Sequence, residues 1–165
     1  MQWKVEIGYR PNATDAMGEG IKKDIEDLNI LGVEYVKAMQ LYILEGELSE
    51  AEIENICTNL LTDSVTQYYE YKSSNHHKND VGAWMVEVSY KHGVTDAVGD
   101  STVKGIKDLG INKQISAKTG KRIIIKGELS ESDMELICRR LLANEVIQNY
   151  SLRKQPWLVR EEAIS

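Results

Sequence analysis

Gly46-Glu47-Leu48-Ser49-Glu50 returns word for word as Gly127-Glu128-Leu129-Ser130-Glu131, 81 positions later. Each copy runs on into the same pattern, Ile56-Cys57-x-x-Leu60-Leu61 and Ile137-Cys138-x-x-Leu141-Leu142. A constant offset that persists beyond one motif marks an internal repeat, which has to be read before any single element. Laying residues 3–72 on 84–153 without a gap gives 28 identities in 70, among them Trp3/Trp84, Tyr9/Tyr90, Thr14/Thr95, Asp15/Asp96, Gly18/Gly99 and Tyr69/Tyr150. The chain is one small unit written twice: residues 1–72 and 84–153, with a polar linker at 73–83 and a tail at 154–165.

Each unit has a legible order. Trp3, Val5, Ile7 and Tyr9 alternate with polar neighbours, the period of a half-buried strand. Pro11-Asn12 ends it, Thr14 or Asp15 caps a helix, and Ile21, Ile25 and Leu28 follow at helical spacing. Gly18 and Gly20 in the first turns point to a close backbone approach or a later helix start. The stretch Val33 to Glu45 is apolar and β-prone; its counterpart, Ile115 to Lys126, carries Gly120-Lys121 in its middle. That glycine predicts a hairpin and two antiparallel strands, with a weaker signal at Met39-Gln40. Ser49-x-x-Glu52 is a capping box that opens a second helix, and Ser130-x-x-Asp133 repeats it. Ile53, Ile56, Cys57, Leu60 and Leu61 form one apolar face, and a strand at Val65–Tyr71 (Val146–Leu152 in the second copy) closes the unit. The order β-α-β-β-α-β predicts an α+β fold of two tandem ferredoxin-like units packed as a pseudo-dimer. Units of this size are marginal alone and gain by packing together.

Composition excludes several classes. A net charge of −6 argues against nucleic acid as a partner. No apolar run reaches membrane-spanning length, and Met1-Gln2-Trp3-Lys4-Val5-Glu6 lacks a signal-peptide core. Cys57 and Cys138 sit at equivalent positions outside any CxxC, on the apolar helix face, and read as small core residues of a protein in a reducing, cytoplasmic compartment. His76-His77 lack a third ligand for a metal. No Ser/His/Asp or Cys/His set and no Walker loop is present in the sequence. Tyr68, Tyr69 and Tyr71 read as cross-strand packing.

Three features of each copy resemble the PurS family, the small subunit of phosphoribosylformylglycinamidine synthase. They are the first strand running into Gly93-Val94-Thr95-Asp96-Ala97-Val98-Gly99, the Thr119-Gly120-Lys121 segment leading to an apolar strand, and the ending Leu141-Leu142-Ala143-Asn144-Glu145-Val146-Ile147-Gln148-Asn149-Tyr150. The second copy resembles the family more closely; the first has Pro11-Asn12-Ala13 in place of His92-Gly93-Val94. The resemblance implies ferredoxin-like units working as dimers. It implies a non-catalytic subunit that bridges a PurL-like synthetase and a PurQ-like glutaminase and supports ammonia transfer in de novo purine biosynthesis. The chain itself would carry no cofactor, while ATP, Mg and glutamine would be used by the partner subunits. The tandem would be a dimer tied into one chain, free-standing or the front of a longer synthetase, and open to further self-association.

Charge divides between the copies. Residues 3–72 carry 6 basic and 14 acidic side chains, net −8, whereas residues 84–153 carry 11 and 9, net +2. Unlike halves attract each other and offer partners two different surfaces. The residues expected to meet a partner are Arg10, Lys91, Thr95, Asp96, Lys121 and Trp157. Trp157, with Leu158 and Val159, is either a strap across the protein's own sheet or a docking segment. Gly93-Val94-Thr95-Asp96 reads first as a helix cap, since Asp96 would oppose a bound anion. Two other functions fit the same order of elements: a tandem ACT-type module binding an amino acid between its halves, and an acylphosphatase-like enzyme, for which Arg10-Pro11-Asn12 is too thin.

Overall fold

The computed structural model describes residues 1–72, 77 and 79–155. The first repeat runs β1 (Gln2–Tyr9), α1 (Ala16–Asp27), β2 (Val33–Glu45), α2 (Glu50–Ile56) and β3 (Gln67–Glu70). The second runs β4 (Trp84–Tyr90), α3 (Ala97–Asp108), β5 (Ser116–Gly127), α4 (Glu131–Ile137) and β6 (Gln148–Lys154). One wider π-helical turn extends α2 through Cys57–Leu61 and another extends α4 through Cys138–Leu142. All six strands form a single antiparallel sheet in the order β3-β1-β2-β5-β4-β6.

The fold is α+β, with two ferredoxin-like layers side by side as a pseudo-dimer, but the middle of each repeat departs from expectation. β2 and β5 are unbroken strands of 13 and 12 residues, and the hairpin expected at Gly120-Lys121 is not formed. Gly120 answers another need. It faces Leu41 on one side and Ser89 on the other, and a Cβ there would stand 2.6 Å from the Val88 carbonyl. The two long strands pair with each other along their whole length, from Val33↔Gly127 to Glu45↔Ser116.

Opening the hairpin exchanges elements between the repeats. β1 pairs with Gln40–Glu45, the second half of β2, while the first half of β2 lies beside the second half of β5, which pairs with β4. The cores follow the same exchange. Ile25 of α1 packs with Trp84, Val86, Ile123, Ile125, Met134 and Ile137 of the second repeat. Ile106 of α3 packs with Val5, Ile7, Leu44, Ile53 and Ile56 of the first. Neither apolar core is complete without a helix from the other copy.

Local signals set the helix starts. Ser49 and Ser130 each accept from the third helical N–H, and Glu52 and Asp133 return the bond. Asp15 caps α1, and its two oxygens serve two elements: Oδ1 accepts from Gly18 N at 2.8 Å and Oδ2 from Ala38 N at 2.8 Å. Asp96 does the same for Gly99 N (2.9 Å) and Thr119 N (2.6 Å), and also accepts from the Thr119 hydroxyl. Each carboxylate therefore ties a helix N-terminus to the free edge of a strand. Gly18 and Gly99 permit this approach, because a Cβ would collide with the Val36 or Ala117 carbonyl. The last strands start later than the apolar pattern suggests: Asp63–Thr66 and Asn144–Ile147 turn first, leaving Val65 and Val146 at 78% and 81% exposure.

Candidate functional site

The helices cover one face of the sheet. On the other face seven charged side chains of alternating sign form a line that crosses both repeats. Lys4 Nζ meets Glu87 Oε1 at 3.0 Å, and Glu87 Oε2 accepts from Arg122 Nε at 2.9 Å. Arg122 Nη1 donates to Glu6 Oε1 at 2.5 Å, and Glu6 Oε2 lies 3.0 Å from His77 Nε2. His77 Nδ1 lies 3.2 Å from Asp80 Oδ2, and Asp80 Oδ1 takes Lys37 Nζ at 3.0 Å and the Tyr35 hydroxyl. Tyr68 adds a hydroxyl to Glu6 at 2.7 Å.

Burial gives these contacts weight: Glu6 is 4% exposed, His77 7% and Asp80 1%. Burial alone would raise the Glu6 carboxyl, but the bond from His77 and the charges of His77 and Arg122 hold it at about 2. Asp80 is likewise held down at about 2 against its burial, by bonds from His77, Tyr35 and Lys37. His77 would lose its proton on burial, yet its bonds to Asp80 and Glu6 lift it to about 9, so the ring is an imidazolium at neutral pH. The Glu87 carboxyl is lowered against its burial by Arg122 and Lys4.

This arrangement belongs to the linker as much as to the strands. The segment read as a polar spacer lays Ala83 on Met39, Met85 and Ile124, with Tyr35 beside them, and fixes itself by His77 and Asp80. The sequence reading missed the cluster, although one signal was present. Glu6 and Glu87 are identical in both copies at polar-face positions of the first strand. Nothing local names their partners, because His77 lies 71 residues from Glu6 and Arg122 lies 116.

The expected contact residues are spread over the molecule. Arg10 follows β1, and its Nε donates to the Ser64 carbonyl at 3.2 Å. Lys91 follows β4, exposed, with its backbone N–H on the Ile147 carbonyl at 2.8 Å. Lys121 lies mid-strand on β5, between Gln40 and Val88. Thr95 precedes the α3 cap, and Asp96 is committed to Gly99 and Thr119. Trp157 lies outside the described residues. Lys91 and Ile147 share one end of the molecule; Arg10 and Ser64 share the other.

Other chemistry is sparse. Burial pushes the Cys57 and Cys138 thiols up to about 12. Among the described residues no group of three or more His, Cys, Asp or Glu is placed to hold a metal, and no helix is long and apolar enough to cross a membrane.

A sequence model of the PurS family, described as phosphoribosylformylglycinamidine (FGAM) synthase, matches this chain twice, at residues 2–75 and 83–156. The phosphoribosylformylglycinamidine synthase subunit PurS of Archaeoglobus fulgidus is 38% identical over 72 residues, 41% of this chain and 90% of that protein. Among solved structures, PurS of Methanocaldococcus jannaschii is similar at 29% identity and a TM-score of 0.41, covering 46% of this chain and 98% of that one. PurS of Thermotoga maritima is similar at 20% identity and a TM-score of 0.30, covering 44% and 90%. Two successive matches spanning most of its length show that the chain belongs to the PurS family, with the family's unit carried twice in one polypeptide.

Proposed function

We propose that this chain is the bridging subunit of phosphoribosylformylglycinamidine synthase in purine biosynthesis. It joins a PurL-like synthetase to a PurQ-like glutaminase and holds them in the register that ammonia transfer requires. ATP, Mg and glutamine are used on those partners, and this chain supplies no reacting group. The relatives from Archaeoglobus fulgidus and Methanocaldococcus jannaschii bear subunit names, which supports a role inside an assembly.

The observation that carries the reading is the pair of unlike ends on one pseudo-symmetric body. One end presents Tyr9 and Val65, with Arg10 drawn onto its own Ser64 carbonyl. The other presents Tyr90, Val146 and Ile147 beside Lys91, whose ammonium has no partner among the described residues. A homodimer would offer the same surface twice, whereas this tandem offers two surfaces to two partners. The test is co-purification of the full chain with the synthetase and glutaminase components in the presence of glutamine and ADP. Association with both supports the reading, and weakened capture of one component by Lys91→Glu would assign the second end. Association with neither rejects it.

A further inference from the structure

The linker that covers the first half of the open sheet face shows how that face receives a crossing segment. Asp80 sets its carboxylate on Lys37 Nζ at 3.0 Å and accepts from the Tyr35 hydroxyl, and further along Ala83 packs on Met39, Met85 and Ile124. Arg10, which lines the same cavity as Lys37, is drawn onto the Ser64 carbonyl. Both cations therefore have an acceptor.

The repeat offset carries these positions onto the second half, where the acceptors are missing. Lys37 becomes Lys118 and Arg10 becomes Lys91, both exposed, and neither ammonium has a partner among the described residues. Glu145, in the place of Ser64, makes no ion pair with Lys91 among them. Carried two residues past Ser89↔Gly120, the β4–β5 register brings Lys91 level with Lys118. Like charges placed opposite each other on neighbouring strands repel, and a carboxylate between them relieves both.

The seat of Ala83 has a counterpart too. Met39, Met85 and Ile124 correspond to Gly120, Lys4 and Ile43, and these line a groove of about 260 Å³ together with Leu41, Glu87 and Asn149. Glu87 is already paired with Lys4 and Arg122, so the groove calls for an apolar side chain rather than another cation. Ile43 faces Lys118 across the β2–β5 ladder, which makes the groove and the lysine pair one continuous surface.

We propose that this half-face is the docking site for an extended acidic segment of a partner subunit. The segment sets one carboxylate between Lys91 and Lys118 and, at the spacing of Asp80 and Ala83, an apolar side chain in the groove over Gly120. Such docking presupposes the bridging role above, and adds to it the face that is used and the chemistry that recognises it. The two unpaired ammoniums select an acidic occupant over a basic one, and the linker on the first half is the template for its extended course. Because the tandem has one linker, one half-face is covered from within and the other is left for a partner.

The test measures the affinity of the full chain for the synthetase and glutaminase components separately, with glutamine and ADP present. Lys118→Glu should weaken binding of one component roughly tenfold or more and leave the other unchanged, while Lys118→Arg retains the native affinity. Adding Lys91→Glu to Lys118→Glu should cost less than the two single losses together, since one carboxylate serves both lysines. Asn149→Tyr, which fills the groove as Tyr68 fills its place in the first half, should weaken the same component, with thermal melting reporting that each variant is folded. Native affinity for both components in Lys118→Glu and in Asn149→Tyr overturns the docking site and leaves the bridging role standing. Self-association of the native chain in sedimentation that Lys118→Glu disperses also overturns it, since a second copy would then occupy the face. If neither component binds the native chain, the bridging role fails and the docking site with it.

Discussion

Gln40 and Lys121 hold the same place in the two repeats and face each other across the β2–β5 ladder. Their pairing marks a pseudo-twofold axis through the centre of the sheet. In an isologous homodimer the two residues at such a point are identical. Here they are not, and their neighbours differ as well: Met39 faces Arg122, and Leu41 faces Gly120. Joining the copies in one chain lets the axis be broken. One consequence is that a single arginine, Arg122, serves both Glu6 and its equivalent Glu87.

Removing that arginine leaves buried Glu6 on β1 and half-buried Glu87 on β4 without their shared cation. Arg122→Ala should cost about 3 kcal/mol or more in urea unfolding, as breaking a buried ion pair does. Adding Glu6→Gln to that variant should recover part of the loss, because the two changes act on one interaction. Additive losses would show that Glu6 does not depend on Arg122.

The linker cluster has its own pH signature. His77 is raised from its ordinary value near 6.5 to about 9, so its contribution is complete below 6.5 and is lost as pH rises through 9. Glu6 and Asp80 are lowered from 4.5 and 3.8 to about 2, so theirs is complete above those ordinary values and is lost as pH falls through 2. The cluster therefore stabilises most between about pH 4.5 and 6.5. Melting temperatures should fall from pH 6.5 towards pH 9 in the native chain. His77→Ala should lower the plateau and flatten that alkaline limb, whereas an unchanged slope would assign the limb to other groups.

Asp15 and Asp96 each cap a helix and hold a strand edge, so their removal should exceed the loss of a cap alone. Asp15→Ala should cost about 1–2 kcal/mol, the upper part of the capping range. Asp96→Ala should cost more, because Asp96 also accepts from the Thr119 hydroxyl. Chemical unfolding of the two variants side by side checks both the size and the order.

Cys57 and Cys138 are free, buried and held as thiols. An aromatic disulfide reagent should leave both unmodified in the native protein and label both in urea, with the labelling rate following the unfolding equilibrium. Fast labelling of either one under native conditions would show that its helix opens locally.

Much of the fold was legible from short-range patterns. The alternation at Trp3, Val5 and Ile7, the capping boxes at Ser49 and Ser130, and the cap at Asp15 each depend on residues within one turn or one strand. The glycines at 18 and 99 signalled a close approach, which the Val36 and Ala117 carbonyls supply. Gly120 misled, because a glycine placed for a tight turn and one placed for a close strand look alike in sequence. The candidate site was hardly legible at all. Arg10, Lys91 and Lys121 stand out along the chain as repeat-equivalent or turn-flanking cations, while the buried cluster depends on partners that meet only in the folded chain.

The sequence by itself determined that this protein is one unit made twice, with an α+β order, apolar helix faces, buried cysteines and halves of unlike charge. Local propensity and a repeat offset suffice for these, since they compare residues along the chain. Only the tertiary structure decided which helix covers which sheet. A closed hairpin and an opened, exchanged one bury the same side chains and satisfy the same backbone groups, so no local term separates them. It also decided that His77 and Asp80 turn a polar linker into a clasp, because a buried charge is tolerable only where opposite charges from distant strands have already been assembled to receive it.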